Sequence, residues 1–261
     1  MPIFCRKITY IWLIILAFPD ASLFNRHQAR HKGIMVNQSG RRGWHAGRPA
    51  GAKGGGDRVS HVEPLSREEA LEAAEDIAWL ASASGFTANS MLMLSRRPEI
   101  ARAALALIRA VVRNPEGTVD PALRWMVAHV TSLANGCSYC SAHTFKNGAD
   151  NGVPAEKLEA IWEFETSPLF SEAERAALRV AVTGGQCPAY ARAEDMAELR
   201  RHFTEEQIVE IGAVIALFGF NNRWNALMET EIEPEVTEFL KGKGYRGPAG
   251  VPPGQGVKEA E

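Results

Sequence analysis

The chain reads as an all-α protein, a compact bundle of several helices. Helix-starting and helix-ending residues recur throughout the stretch from Val59 onward, and the apolar positions between them keep a three-to-four-residue spacing. No run of alternating β-branched residues flanked by hairpin turns occurs. Length and composition suit such a fold, since 261 residues of which 46% are hydrophobic supply a core and exclude a natively disordered chain. Four cysteines are too few for a disulfide-stapled scaffold.

Charge divides the chain. The formal net charge of −2 argues against attraction of the whole protein to nucleic acid. Residues 1–58, however, hold ten of the 29 Lys and Arg but only Asp20 and Asp57 of the 31 acidic residues, so a basic extension precedes an acidic body. Its apolar run, 11–18, falls far short of the roughly 20 residues that cross a bilayer. With Arg6 and Lys7 before it and Ala21 and Ser22 after it, this run resembles a signal peptide that lacks a clean small-x-small cleavage site. Residues 25–58, rich in Gly, Arg and His without apolar periodicity, are expected not to fold. Three readings stay open: an export signal, an upstream extension ahead of an alternative start at Met35, and a functional basic arm. The expected organisation is an extension over 1–58, a helical domain over 59–241 and a disordered tail over 242–261. The expected location is the cytoplasm, with export left open and no membrane or nucleic-acid partner.

Within the body, Ser66 and Glu69 form a capping box that opens a helix to about Ser84. Pro98 suits a first turn and starts a helix to about Arg113. Asp120-Pro121 opens the next, which Asn135-Gly136 stops. A helix from about Ser138 to Ala149 follows, then one from Pro154 to about Glu165. Ser171 with Glu174 and Thr204 with Gln207 are further capping boxes. The last helix holds only apolar residues and Gly over 211–220, which predicts a buried centre. Trp79, Trp125, Trp162 and Trp224 fall at apolar helical positions and are read as core.

Chemistry concentrates in 123–152. Cys137 and Cys140 make a C-x-x-C at a helix start, and His143 follows three residues later. Positions i, i+3 and i+6 lie within about 60° of one line on a helix, so both sulfurs and the imidazole share a face. A helix N-terminus favours thiolate over thiol, and a nearby His accepts a thiol proton near neutral pH. If the helices flanking Asn135-Gly136 run antiparallel, His129 lies level with His143 as a second proton carrier. The duller readings are two buried small thiols, a zinc site from Cys137, Cys140, His143 and His129, and a core role for His129. Four ligands within fifteen residues, without a second C-x-x-C, is unlike structural zinc spacing, so no metal is expected. Cys187 in GGQCP has no sequence neighbour to pair with and reads as a buried or loop thiol.

The stretch HVTSLANGCSYCSAHT, followed by GVP, FETSPLFSEAERAALR and FGFNNRWN, resembles the carboxymuconolactone decarboxylase family, within the alkyl hydroperoxidase D-like superfamily. The likeness spans roughly Pro64 to Phe239. It implies an all-helical alkyl hydroperoxidase D-like domain, homo-oligomers, and in many members an antioxidant thiol peroxidase activity without metal, flavin or other cofactor. By that pattern Cys140 is peroxidatic and Cys137 resolving, with a His and an upstream Glu relaying protons. Two positions depart: Trp125 stands where the glutamate is expected, and Thr144 where a relay His often lies, with His143 one residue earlier. His129, one turn after Trp125, is the available substitute.

The helix field favours Cys137 as the thiolate, whereas the nearness of His143 favours Cys140. A field worth about 0.3–1 kcal/mol is smaller than general-base help of about 10²–10⁴-fold, which sides with Cys140. The expected function is reduction of a peroxide through a Cys137–Cys140 disulfide cycle, recycled by a thiol protein or small thiol. The alternatives are a lactone decarboxylase and a non-enzymatic redox-sensing oligomer.

Overall fold

In the computed structural model, residues 60–73, 77–79 and 85–243 are described, and among them there are helices and no strands. The expected extension, and the tail beyond 243, lie outside the described residues. The helices run α1 Arg67–Ala73, α2 Asn89–Leu94, α3 Pro98–Val111, α4 Pro121–Asn135, α5 Ser138–Asp150, α6 Ala155–Glu159, a 3-10 turn Ile161–Glu163, α7 Glu172–Gly185, α8 Ala193–His202, α9 Glu205–Met228 and α10 Pro234–Gly242.

Local chemistry sets the boundaries. The Asp120 carboxylate accepts from the backbone N–H groups of Ala122 and Leu123 ahead of Pro121, and Gly136 closes α4 in the left-handed region at φ 80°. Ser171 and Thr204 complete the two reciprocal capping boxes that open α7 and α9. Every side chain from Leu123 to Ser132 is buried, which makes α4 the axis around which α5, α7 and α9 pack. Two of its polar residues are satisfied within the helix: the Thr131 and Ser132 hydroxyls each donate to the carbonyl four residues back at 2.8 Å. At the α4–α7 crossing, a Cβ on Gly185 would sit 2.6 Å from the Thr131 carbonyl oxygen, so glycine is what permits this approach.

Several expectations change. The capping box at Ser66 forms, but its helix is described only as α1 and the helical residues 77–79. The helix expected over 154–165 breaks at Ala160 into α6 and the 3-10 turn, and Trp162 is 46% exposed rather than core. Helices α2, α8 and α10 lack a side-chain cap, which removed the signal that would announce them. The apolar segment of α9 is not buried all round. Ile211, Val214, Ile215, Leu217 and Phe218 face the core, while Val209, Phe220 and Leu227 lie in line on the solvent side. A second apolar cluster joins Ala70, Ile77, Met91, Leu94, Ala101 and Leu105 beside the main core. Among the described residues no helix is long and apolar enough to cross a membrane.

Candidate active site

Cys137 is the N-cap of α5, with extended backbone at φ −85° and ψ 103°, and its sulfur accepts from the Cys140 backbone N–H at 3.4 Å. Both thiols are free and buried. The Cys140 thiol donates to the Cys137 sulfur, which is the largest influence lowering the Cys137 pKa; burial opposes it, and the Cys140 N–H and His143 reinforce it. Burial pushes the Cys140 thiol well above its ordinary value, and its hydrogen bond to Cys137 and the charge there push the same way. Only the side-chain amide of Asn225, donating to the Cys140 sulfur at 3.4 Å, pulls it back. The acidities of the two thiols are thus pushed apart, downward at Cys137 and upward at Cys140, whereas the nearness of His143 along the helix favours Cys140.

His143 lies on the same face of α5. Its ring stacks on Tyr139 with centroids 4.1 Å apart, its Nδ1 is 2.9 Å from the Tyr139 carbonyl, and its Nε2 is 2.7 Å from Glu233 Oε2. Burial alone would lower the imidazole pKa, but the Glu233 charge and hydrogen bond, with help from the Tyr139 carbonyl and Cys137, raise it. Glu233 is 3% exposed. Its other oxygen accepts from the Tyr139 hydroxyl at 2.7 Å and the Asn89 backbone N–H at 2.5 Å. Burial raises its pKa, yet His143 and these donors outweigh burial and lower it.

His129 has other company. Its Nδ1 is 2.8 Å from the Thr144 hydroxyl, which itself donates to the Cys140 carbonyl, and its ring meets Phe145 edge-on. Complete burial pushes its pKa down to about 3. Its ring is thus neutral at ordinary pH and packed in the core on Thr144 and Phe145, apart from the His143–Glu233 pair. Cys187 lies exposed on the loop before a cis Pro188. Among the described residues no group of three or more His, Cys, Asp or Glu is arranged to hold a metal ion.

A cavity of about 100 Å³ adjoins the dithiol, walled by Cys140, His143, Phe86, Trp125, Phe218 and Trp224. Cys140 lines it and Cys137 does not. Trp125, at the position where a relay carboxylate was expected, is instead an aromatic wall; the carboxylate arrives from Glu233, at the far end of the domain. Sequence reasoning missed Glu233, Tyr139 and Asn225. The only local signal for Glu233 is its place directly before the helix-starting Pro234.

This architecture is the alkyl hydroperoxidase D-like fold. It is shared with an uncharacterized peroxidase-related protein from Ralstonia eutropha JMP134 titled an alkylhydroperoxidase AhpD core, at TM-score 0.57 and 24% identity over 69% of this chain and 91% of that one. The chain belongs to the carboxymuconolactone decarboxylase family, whose model matches residues 98–183. The debrominase Bmp8 is 34% identical in its apo structure, with TM-score 0.65, over 71% of this chain and 98% of that one. A cysteine-to-alanine variant of Bmp8 in complex with 2,3,4-tribromopyrrole is 33% identical over the same coverage. The uncharacterized protein YnjA of Escherichia coli K12 is 29% identical over 111 residues, 42% of this chain, and the match spans 61% of that relative's length.

Proposed function

We propose that this protein is a cytoplasmic thiol-dependent reductase whose Cys137–Cys140 pair passes from dithiol to disulfide as it reduces a peroxide. The observation that carries this reading is the pair itself, two adjacent buried thiols with their acidities pushed apart and one of them on the wall of an apolar cavity. Cys137 is the more acidic of the two, and access belongs to Cys140. When a hydroperoxide enters, the Cys140 proton passes to Cys137 along the existing hydrogen bond, and the Cys140 sulfur attacks the terminal oxygen. The O–O bond breaks, Cys140 becomes a sulfenic acid, and the alkoxide takes a proton from the His143 imidazolium. Cys137 then gives its proton to His143 and attacks the Cys140 sulfur; the disulfide forms and hydroxide leaves as water with that proton. A thiol protein or small thiol restores the dithiol, and the chemistry asks for no metal or flavin. Assembly into homo-oligomers belongs to the same proposal, supported by the exposed line of Val209, Phe220 and Leu227 along α9.

Steady-state consumption of an organic hydroperoxide with a thiol recycling system, before and after alkylation, is the test. Cys140→Ser should abolish turnover, and Cys137→Ser should stop after one equivalent with a sulfenic acid that a dimedone-type probe traps. Turnover that survives alkylation would point to lactone decarboxylation, and a disulfide without turnover to a redox-sensing oligomer.

A second reading is favoured by the aromatic wall at Cys140 and the identity to the debrominase. Here the Cys140 sulfur takes the halogen from a halogenated aromatic ring, His143 protonates the ring carbon, and Cys137 displaces halide as the disulfide forms. Release of halide from a brominated pyrrole, without hydroperoxide turnover, would select it.

A further inference from the structure

We propose that Glu233 is the positioning residue of the dithiol: from the loop before α10 its carboxylate pins the His143 ring on the face of α5 that carries Cys137 and Cys140, and through that ring it tunes the reactivity of the pair. This adds to the site proposed above and rests on that reading for its use in turnover.

Geometry makes Glu233 a fixed partner. One ion pair and two hydrogen bonds from two parts of the chain converge on its carboxylate: His143 Nε2 and the Tyr139 hydroxyl from α5, and the Asn89 N–H from the start of α2. A residue before a helix commonly turns its side chain back to cap that helix. Glu233 makes no such bond, so its carboxylate is committed to the site. The Asn89 side chain also donates to the Glu231 carbonyl at 3.0 Å, which ties the same loop down beside it. Buried carboxylates that orient a histidine fix which nitrogen carries a proton and stabilise the charged ring.

The other groups around His143 do not supply this effect. Arg113, just beyond α3, lines the same cavity. Lys146 of α5, ion-paired with Asp150, sits 5.8 Å from the centre of the Phe86 ring, which in turn packs 5.6 Å from the imidazole. Arg113 and Lys146 are cations and disfavour a further positive charge. The Tyr139 phenol is held neutral by burial, then by the adjacent Glu233 charge. Asn225 of α9 is uncharged, and burial keeps the proton on Cys140 of α5. Glu233 is the carboxylate in contact with the ring, and its 2.7 Å ion pair outweighs the burial of the ring. The imidazolium then acts on Cys137 through its charge.

The test is titration of the ultraviolet thiolate absorbance of the reduced full-length protein, together with the rate of iodoacetamide alkylation against pH. Wild type should show one thiolate forming well below the ordinary thiol range. Glu233→Gln should move that inflection upward by at least about one pH unit, with about tenfold slower alkylation at neutral pH, and Glu233→Asp should recover part of it. Tyr139→Phe, which removes a hydrogen bond from the same carboxylate but no charge, should leave the inflection near its wild-type position. A folded Glu233→Gln protein with an unchanged titration would overturn the proposal. Should that variant fail to fold, NMR titration of the wild-type His143 ring decides: its midpoint should lie above the ordinary 6.5, and a midpoint at or below 6.5 would overturn the proposal equally. Neither readout uses a peroxide, so inactivity toward hydroperoxides would sink the proposed function and leave this result standing.

Discussion

The side-chain amide of Asn225 donates to the Cys140 sulfur at 3.4 Å, and its second proton goes to the Asn221 carbonyl one turn back at 2.9 Å. It is thereby a preset donor aimed at the sulfur that faces the cavity. A hydrogen bond to a charged group is worth about 1.5–3 kcal/mol, so losing it slows formation of the Cys140 thiolate by about tenfold or more. Asn225→Ala should reduce the alkylation rate of Cys140, measured in a Cys137→Ala background, by that factor. Asn225→Asp should reduce it further, because a carboxylate replaces the donor.

His129 predicts a pH dependence of stability. Its pKa is about 3 in the fold against an ordinary 6.5, so the unfolded chain binds a proton that the folded chain refuses. The contribution is fully present above pH 6.5 and is lost as pH falls toward 3, with a slope of up to about 1.4 kcal/mol per pH unit. Denaturant unfolding across that range should show a shallower acid decline for His129→Gln than for wild type. The same variant should leave the neutral-pH alkylation profile of the thiols unchanged.

Two glycines should respond in opposite senses. Gly185→Ala drives a methyl group into the Thr131 backbone, which cannot swing aside, and should cost about 1–3 kcal/mol, lowering the melting temperature by about 2–4 °C for each of them. Gly212→Ala in α9 meets nothing within 4 Å and should stabilise the helix by up to about 1 kcal/mol.

Trp125 forms part of the cavity wall and packs edge-on to Phe218. Trp125→Ala should lose about 3–5 kcal/mol of stability. It should also raise KM for cumene hydroperoxide more than for hydrogen peroxide, whereas Trp125→Phe should keep most of the discrimination between them.

How far the sequence speaks depends on how local the signal is. The ends of α4 could be read to the residue, because Asp120, Pro121 and Gly136 act on their own neighbours. The shared face of Cys137, Cys140 and His143 follows from helix geometry in the same way. Glu233 was illegible because its role depends on how α10 docks against α5, and in the stretch E-T-E-I-E-P-E only its place before Pro234 separates it from Glu229, Glu231 or Glu235. The ordering of acidity within the dithiol was illegible for a related reason. Spacing along α5 puts His143 nearer Cys140, but acidity is set by burial and by which sulfur donates to the other, and neither is written in a spacing.

The partners of the site are also far apart in time. A chain made from its N-terminus presents both cysteines and His143 long before Glu233 emerges, and the ion pair closes only when the segment ahead of α10 settles against Asn89 and Tyr139. On the proposed role of Glu233, a growing or partly unfolded chain carries two ordinary, slow thiols, and the reactivity of the pair reports that the segment ahead of α10 has docked.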